Sequence, residues 1–257
     1  MLTAPETTTR IANSETVSIA LDVDCPLSEV RLVPRFGGEQ VLALSDGAFT
    51  FPYVEAPDTV KLEWLDSNSE KLFTSYAEVV SRHYFKLDEL SGYGDGQDDF
   101  DQLPDKVLYQ ARQAATEVFE ENAHRAFVHR IGRTKDYGRE RLLWLRHNDV
   151  YELLTDGYML VSDCQVEPDG TVSQPFPVWV EYLYGADQMP AQVSRAVLEL
   201  AAYMLRPTNR PIGATGESTD AGYIHFTTAG KDGATDIPEV NAAIAQFGRG
   251  ERVYYGC

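Results

Sequence analysis

The sequence predicts an α+β protein, with an N-terminal antiparallel β-sandwich-like domain followed by a helical core. That core carries a β insertion between two long helices and ends in an extended C-terminal tail. Short alternating segments with turn residues between them recur up to residue 73, which is typical of antiparallel strands. Apolar residues then recur at helical spacing over 105–124 and 190–205. At 257 residues, the chain is long enough for more than one domain.

The N-terminal domain is predicted from five apolar segments after a polar arm over residues 1–14. The segments begin at Val17, Val30, Gln40, Phe49 and Val60. Gly, Pro, Asp and Asn lie between them, and strands at this spacing indicate a small sandwich or barrel. We therefore assign residues 1–73 to a β domain.

The helical core is predicted over residues 74–236. Thr74 is a suitable N-cap, and the apolar residues after it predict a short helix over 74–84. Pro104 and Asp105 are typical of a helix start, so the next helix is expected over 105–124. A third helix over 190–205 begins at Pro190 and ends before Pro207.

Residues 127–184 interrupt these helices with alternating segments that predict a β insertion. The segments begin at Phe127, Arg141, Val150, Tyr158 and Val178. Asp156-Gly157 and Asp169-Gly170 between them are typical hairpin turns. The strand from Val178 has two distinct faces, so we expect one face to meet the core and the other a neighbouring subunit.

The C-terminal segment 237–257 is predicted to hold a short helix from Ile237 and then an extended end. That end carries Val253, Tyr254 and Tyr255, which a short extended segment cannot bury by itself. Exposed apolar groups of this kind mark contact surfaces. We therefore expect the tail to meet another protein.

Charge excludes a conventional grip on nucleic acid for the chain as a whole. Forty acidic residues against 22 Lys and Arg give a net charge of −18, which repels phosphate backbones. Residues 124–147 are the exception, with seven basic and two acidic residues. We expect these charges to meet acidic surfaces of adjacent copies, and a nucleic-acid patch is the alternative.

The most acidic surface is expected over residues 87–105, which hold seven acids and no Lys or Arg. Four carboxylates there, Asp95, Asp98, Asp99 and Asp101, are spaced somewhat like a calcium loop. The terminal glutamate and the glycine placement of an EF-hand are missing, so the sequence predicts an acidic loop and no metal site.

No catalytic motif is found in the sequence. The five histidines lack the spacing of helical metal pairs, and the three cysteines lack any metal-ligand spacing. Phosphate-binding, dinucleotide-binding and nucleophile-elbow motifs are absent from the sequence. We expect a protein without enzymatic activity, cofactor, signal peptide or membrane span, made in the cytoplasm.

Five sequence segments together resemble the head-to-tail adaptor (connector) proteins of long-tailed bacteriophages. They lie at 74–79, 111–120 with 125–128, 177–185, 189–202 and 237–244, and occur in the family's order. The resemblance implies a helical core with a β insertion, a ring of twelve subunits under the portal, and a C-terminal segment that docks onto the portal. The first 70 residues depart from simple adaptors and form an added β domain.

The resemblance implies a structural virion protein at the head–tail junction, assembled in the host cytoplasm. Its partners would be further copies of itself, the portal and a tail-side neck or stopper protein, with DNA passing through unbound. The expected portal-docking residues are Arg249, Arg252, Val253, Tyr254 and Tyr255. Subunit contacts are expected at Glu117, Glu120, Arg125, Arg130, Arg133, Trp179 and Glu181. The four carboxylates from Asp95 to Asp101 would line the lumen or an interface.

Two other functions stay open at this point. An acidic metal-dependent hydrolase would use the carboxylates between Asp95 and Asp101. Alternatively, the N-terminal β domain would be a binding or decoration module that recognises a host surface or a virion partner.

Overall fold

The computed structural model describes residues 9–18, 27–93, 100–136, 147–154, 178–206, 216–219, 222–225 and 234–249. It has an α+β fold whose chain divides into two units. The first unit comprises residues 1–83 and 128–187, and the second comprises residues 84–127 and 188–257. Each unit is therefore assembled from two separate stretches of chain.

Seven strands lie in the first stretch of the first unit. They are β1 (Thr9–Ala12), β2 (Thr16–Ser18), β3 (Leu27–Pro34), β4 (Gln40–Ala43), β5 (Ala48–Thr50), β6 (Asp58–Asp66) and β7 (Lys71–Val80). Five form a sheet in the order β1-β7-β6-β3-β4, and β2 pairs with β5. All the pairings are antiparallel except that of β1 with β7, which is parallel.

The core of this unit follows from the two-residue period of its strands. Leu32 lies opposite Leu62, and Val30 lies opposite Trp64. These side chains are fully or almost fully buried, and Phe49 packs edge-on against Trp64 at a centroid distance of 5.9 Å. The five strands predicted in the N-terminal region are confirmed.

The predicted helix over 74–84 is wrong, because residues 71–80 form strand β7. Apolar residues at both helical and alternate spacing made the period ambiguous. The strand conformation is favoured because β7 pairs with β6 on one side and with β1 on the other, so its backbone N–H and C=O groups find hydrogen-bond partners in both neighbours. The predicted boundary after residue 73 falls inside this strand, and the first unit continues to His83.

Two shorter segments also differ from expectation. Part of the predicted polar arm forms β1, and the start of the predicted acidic loop is a short helix, α1 (Leu87–Ser91). Residues 100–102 form a 3₁₀ turn that buries Phe100. Each of these largely polar stretches contains a buried apolar side chain: Ile11 in β1, Leu90 in α1 and Phe100 in the 3₁₀ turn.

In its described residues the β insertion supplies three more strands, β8 (Arg130–Asp136), β9 (Val150–Leu154) and β10 (Val178–Tyr184). They form an antiparallel sheet in the order β8-β10-β9. The strands predicted at Val150 and Val178 are confirmed, and the one predicted at Phe127 begins at Arg130. The strands predicted at Arg141 and Tyr158, and both hairpin turns, lie outside the described residues.

The second unit is helical. It contains α1, α2 (Asp105–Ala123), α3 (Ala191–Leu205), the hairpin β11 (Gly216–Thr219) and β12 (Gly222–His225), and α4 (Pro238–Phe247). Helix α2 packs on α3, and α4 packs on both. Ala111 and Ala115 of α2 are buried, and their small side chains allow close helix approach. The helices predicted over 105–124, over 190–205 and after Ile237 are confirmed.

Two carboxylates join the insertion sheet to the five-stranded sheet within the first unit. Glu78 of β7 accepts hydrogen bonds from Arg10 of β1 (Nε–Oε2 3.2 Å) and Arg130 of β8 (Nη2–Oε2 2.9 Å). Glu181 of β10 pairs with Arg35, which follows β3, and lies 3.8 Å from the Nε of Arg133. The structure therefore groups the insertion with the N-terminal strands.

Burial and charge act in opposite directions on Glu78. Burial by itself raises the pKa of a carboxyl group, because it disfavours the charged form. Here the guanidinium groups of Arg130 and Arg10 outweigh burial and hold the pKa of Glu78 below its ordinary value. Glu78 is therefore ionised at neutral pH and balances two arginines that are themselves almost buried.

Replacing Glu78 by glutamine is expected to lower the free energy of unfolding by about 3 kcal/mol, because two nearly buried guanidinium groups lose their counter-charge. Urea denaturation of the full chain at neutral pH measures the change. Glu70→Gln, in an exposed turn, is the matched control and should cost less than about 0.5 kcal/mol. Equal effects of the two substitutions would contradict this account.

The stabilisation by Glu78 is expected to depend on pH in one direction. Its folded-state pKa is depressed, so its contribution is complete above 4.5, the ordinary value, and is lost as pH falls through the lower folded value. The difference in unfolding free energy between wild type and Glu78→Gln should therefore shrink as the pH falls below 4.5 and through the lower folded-state pKa of Glu78. A difference that grows on acidification would contradict the assignment.

Candidate interaction surfaces

Residues 248 and 249, directly after α4, bond the ends of two helices. After α4, the Gly248 N–H donates to the carbonyl of Ile244 at 2.8 Å, and the Arg249 N–H donates to the carbonyl of Ala123 at 2.8 Å. Of the expected portal-docking residues, Arg249 is described and its side chain is exposed. The other four, Arg252, Val253, Tyr254 and Tyr255, lie outside the described residues.

Helix α2 ends in a left-handed turn that leaves its last carbonyl available to this tail. His124 has a φ of 50°, and its N–H bonds the carbonyl of Glu121 at 3.3 Å. The N–H of Arg125 bonds the carbonyl of Glu120 at 3.2 Å. Such a turn satisfies carbonyls at a helix end. The predicted helix end near His124 is thus confirmed, and Ala123 offers its carbonyl to Arg249.

Tyr84 organises both ends of the β insertion from inside the helical unit. Its hydroxyl donates to Glu120 Oε1 at 2.8 Å and accepts the N–H of Phe127 at 2.9 Å. Its backbone carbonyl accepts the hydroxyl of Ser194, in the first turn of α3, at 2.6 Å. The hydroxyl of Tyr84 therefore bonds Phe127, directly before the insertion, and its backbone carbonyl bonds Ser194 of α3, after the insertion.

The expected subunit contacts fall into two groups in the structure. Glu120, Arg125, Arg130 and Glu181 make contacts inside their own unit: with Tyr84, with the Phe127 ring at 5.0 Å, with Glu78 and with Arg35 respectively. Glu117 is exposed on α2, where it accepts a hydrogen bond from Gln113, and the Arg133 side chain is 47% exposed. Only Glu117 and Arg133 of these six therefore combine charge with substantial exposure.

Trp179 lies on β10, opposite Lys135 of β8, and its side chain is outside what the structure describes. Among the acids, Asp101 is exposed in the 3₁₀ turn, while Asp95, Asp98 and Asp99 lie outside the described residues. The described part of the chain contains no cluster of three or more His, Cys, Asp or Glu that would hold a metal ion. Among its helices, none is both long and apolar enough to cross a bilayer.

Sequence reasoning missed the residues that organise these surfaces. Arg10 and Arg35 read as isolated charges, because their partners Glu78 and Glu181 are 68 and 146 positions away. Tyr84 stood at the end of the helix wrongly predicted over 74–84, so its contacts with Glu120, Phe127 and Ser194 were not expected. Gly248 carried the clearest signal, since a glycine directly after a helix often marks its end.

Comparison with known proteins adds little to this description. The chain matches no family model and no curated protein. One solved structure that matches contains the fibronectin(III)-like modules of Clostridium thermocellum CbhA, at 15% identity and a TM-score of 0.20. The match covers 30% of this chain and 90% of that chain. A similarity at this level supports no conclusion on fold or function.

Tyr84→Phe is expected to lower the free energy of unfolding by about 2 kcal/mol, because the buried N–H of Phe127 loses its acceptor and Glu120 loses its donor. Thermal and urea denaturation measure the effect. Tyr203→Phe is the matched control: that side chain is exposed and its hydroxyl donates to Asp236 at 3.3 Å, so the loss should stay under about 0.5 kcal/mol. Similar losses at both positions would contradict the assigned role of Tyr84.

Proposed function

We propose that this protein is a structural subunit of a bacteriophage neck, the adaptor ring that joins the portal to tail-side neck proteins. The observation that supports this most is the helical unit. In it, α2 and α3 pack together although the β insertion separates them in sequence, and α4 packs on both. A helical core with this insertion and a free C-terminal segment is what the resemblance to the adaptor family implies.

Charge supports the same proposal. A ring through which DNA passes must not hold it, and a net charge of −18 disfavours contact with phosphates. Exposed carboxylates such as Glu117 and Glu121 on α2, and Asp101 before it, are suited to a lumen or to an interface. The protein would let the genome through without binding it.

Assembly into a ring of twelve requires different surfaces on the two sides of each subunit. Glu117, exposed on α2, offers negative charge, while Arg133 on β8, whose side chain is 47% exposed, offers positive charge. Opposite charges on two surfaces favour head-to-tail pairing over pairing of like surfaces. We therefore retain Glu117 and Arg133 as the strongest of the expected contacts.

Purified protein mixed with its portal ring is the direct test of this function. Electron microscopy should show a second ring stacked on one end of the portal, and a portal sample without this protein should lack it. Stacked rings that never form, even with the protein in large excess, would contradict the proposal.

Removing residues 250–257 is expected to abolish docking onto the portal, while the thermal midpoint changes by less than about 2 °C. The removed segment carries Tyr254 and Tyr255, which are expected to contact the portal, and it lies outside the packed helices α2, α3 and α4. Co-sedimentation with portal rings measures docking. Removing residues 1–8 is the matched control and should leave docking intact. Normal docking without residues 250–257 would contradict the assignment of the tail.

A further inference from the structure

Strand β4 has an open edge. It lies at the end of the five-stranded sheet and pairs with β3 on one side. Toward β5, the hydrogen bonds among the described residues are confined to the connecting turn, where Ser45 and Ala48 exchange two backbone bonds of 2.9 Å. Beyond this turn β4 stays with β3 while β5 pairs with β2, so the two strands separate.

The direction of the backbone shows which groups of β4 face this open side. Successive residues of a strand direct their N–H and C=O groups to alternate edges. The Leu44 N–H donates to the Ser28 carbonyl, on the β3 side, at 2.8 Å, whereas the Ser45 N–H donates toward β5. Val41 and Ala43 therefore direct their N–H and C=O groups away from β3. In the part of the chain that the structure describes, these groups bond no other residue.

A groove of about 440 Å³ lies beside this edge. Leu42 and Ala43 line it from β4, and Phe49 and Thr50 line it from β5. A strand added to β4 would place every second side chain in the groove, next to Leu42. The side chains between them would lie on the outer face beside Val41, which is 52% exposed. The edge thus offers both backbone partners and space for alternate side chains.

The other end of the same sheet is closed by the chain itself. There β1 pairs with β7, and the next residues bond Phe51: the Ser14 N–H donates to its carbonyl at 3.1 Å, and its N–H donates to the Glu15 carbonyl at 2.8 Å. Edge strands are usually protected by charged side chains, proline or a covering segment. Strand β4, with the sequence Gln-Val-Leu-Ala, contains no charge and no proline. It is therefore the edge at which this sheet can take a further strand.

Charge indicates which kind of strand fits. Residues 36–60 contain no Lys or Arg, and their exposed acids include Glu39, directly before β4, and Asp46, in the turn after it. Arg31 of the neighbouring strand β3 directs its guanidinium group to Glu63 of β6, with an Nη1–Oε2 distance of 3.3 Å. A second copy would bring the same acids to this edge, and like charges opposite one another destabilise a strand pair. A basic strand from another protein is complementary.

We propose that the edge of β4 is a strand-accepting site, which binds an extended basic segment of another protein. The bound segment forms hydrogen bonds with the outward groups of Val41 and Ala43 and places aliphatic side chains in the groove at alternate positions. Its Lys or Arg residues lie near Glu39 and Asp46. This inference goes beyond the proposed function and does not depend on it, because it concerns the N-terminal β domain and a partner of that domain.

Two substitutions at one position isolate the backbone group. Ala43→Pro removes the outward N–H and obstructs an added strand, whereas Ala43→Thr keeps the N–H and suits a strand. Proline is tolerated at a strand edge whose N–H has no partner. Both variants should therefore keep their thermal midpoints within about 3 °C of the wild type.

A library of random decapeptides, selected on the full-length protein, is the probe. We expect the enriched peptides to have aliphatic residues at alternate positions and to carry Lys or Arg. As synthetic peptides, they should bind Ala43→Pro about tenfold more weakly than the wild type, and Ala43→Thr less than about twofold more weakly. Glu39→Lys should also weaken binding, whereas Glu152→Lys, the same change at an exposed position of β9, should not.

Enrichment of no peptide, or equal binding of the enriched peptides by Ala43→Pro and the wild type, would overturn the strand-accepting site. A wild-type dimer in sedimentation that Ala43→Pro dissociates would assign the edge to a second copy and overturn the basic partner. If Ala43→Pro loses its cooperative unfolding transition, Glu39→Lys and Glu152→Lys decide, and equal binding by these two would overturn the proposal. No portal is present in these experiments, so their failure is distinguishable from failure of the proposed function.

Discussion

The first unit depends on keeping Glu78 ionised between Arg10 and Arg130. The three residues of this arrangement come from β1, β7 and β8, so the carboxylate of Glu78 joins the first strand, the central sheet and the β insertion. Removing charges from water is costly, and the cost is offset only when opposite charges and hydrogen bonds are placed well. Because Glu78 has two guanidinium groups around it, the depressed pKa of its carboxyl keeps the arrangement charged at neutral pH.

This arrangement explains how a chain with an insertion between its long helices keeps two ordered units. Arg130 and Glu181 bind the insertion to the five-stranded sheet. In the helical unit, Tyr84 bonds the residues on either side of the insertion, Phe127 and Ser194. Each set of contacts lies within one unit. The helical unit that we propose as the ring-forming part can therefore carry α2, α3 and α4 as one packed group despite the interruption.

Elements with a clear period and end signals were predictable from the sequence. Helices α2 and α3 follow a proline and have apolar residues at helical spacing, and β6 alternates up to Leu62. Strand β7 was mistaken for a helix because its apolar residues fit both periods, and pairing with β1 is not visible locally. Ion pairs such as Arg35 with Glu181 join residues distant in sequence, so no local pattern reveals them. Four of the expected contact residues make contacts within the chain instead: Glu120, Arg125, Arg130 and Glu181.

Native-state amide hydrogen exchange tests most directly whether the insertion and the N-terminal strands form one cooperative unit. Tyr182 of β10 and Leu62 of β6 are almost completely buried, so the amides around them are expected to exchange slowest in the two sheets. The account predicts that both groups open with the same free energy, within about 1 kcal/mol, because the charged contacts couple the two sheets. An insertion sheet that opens several kcal/mol more readily than the five-stranded sheet would contradict it.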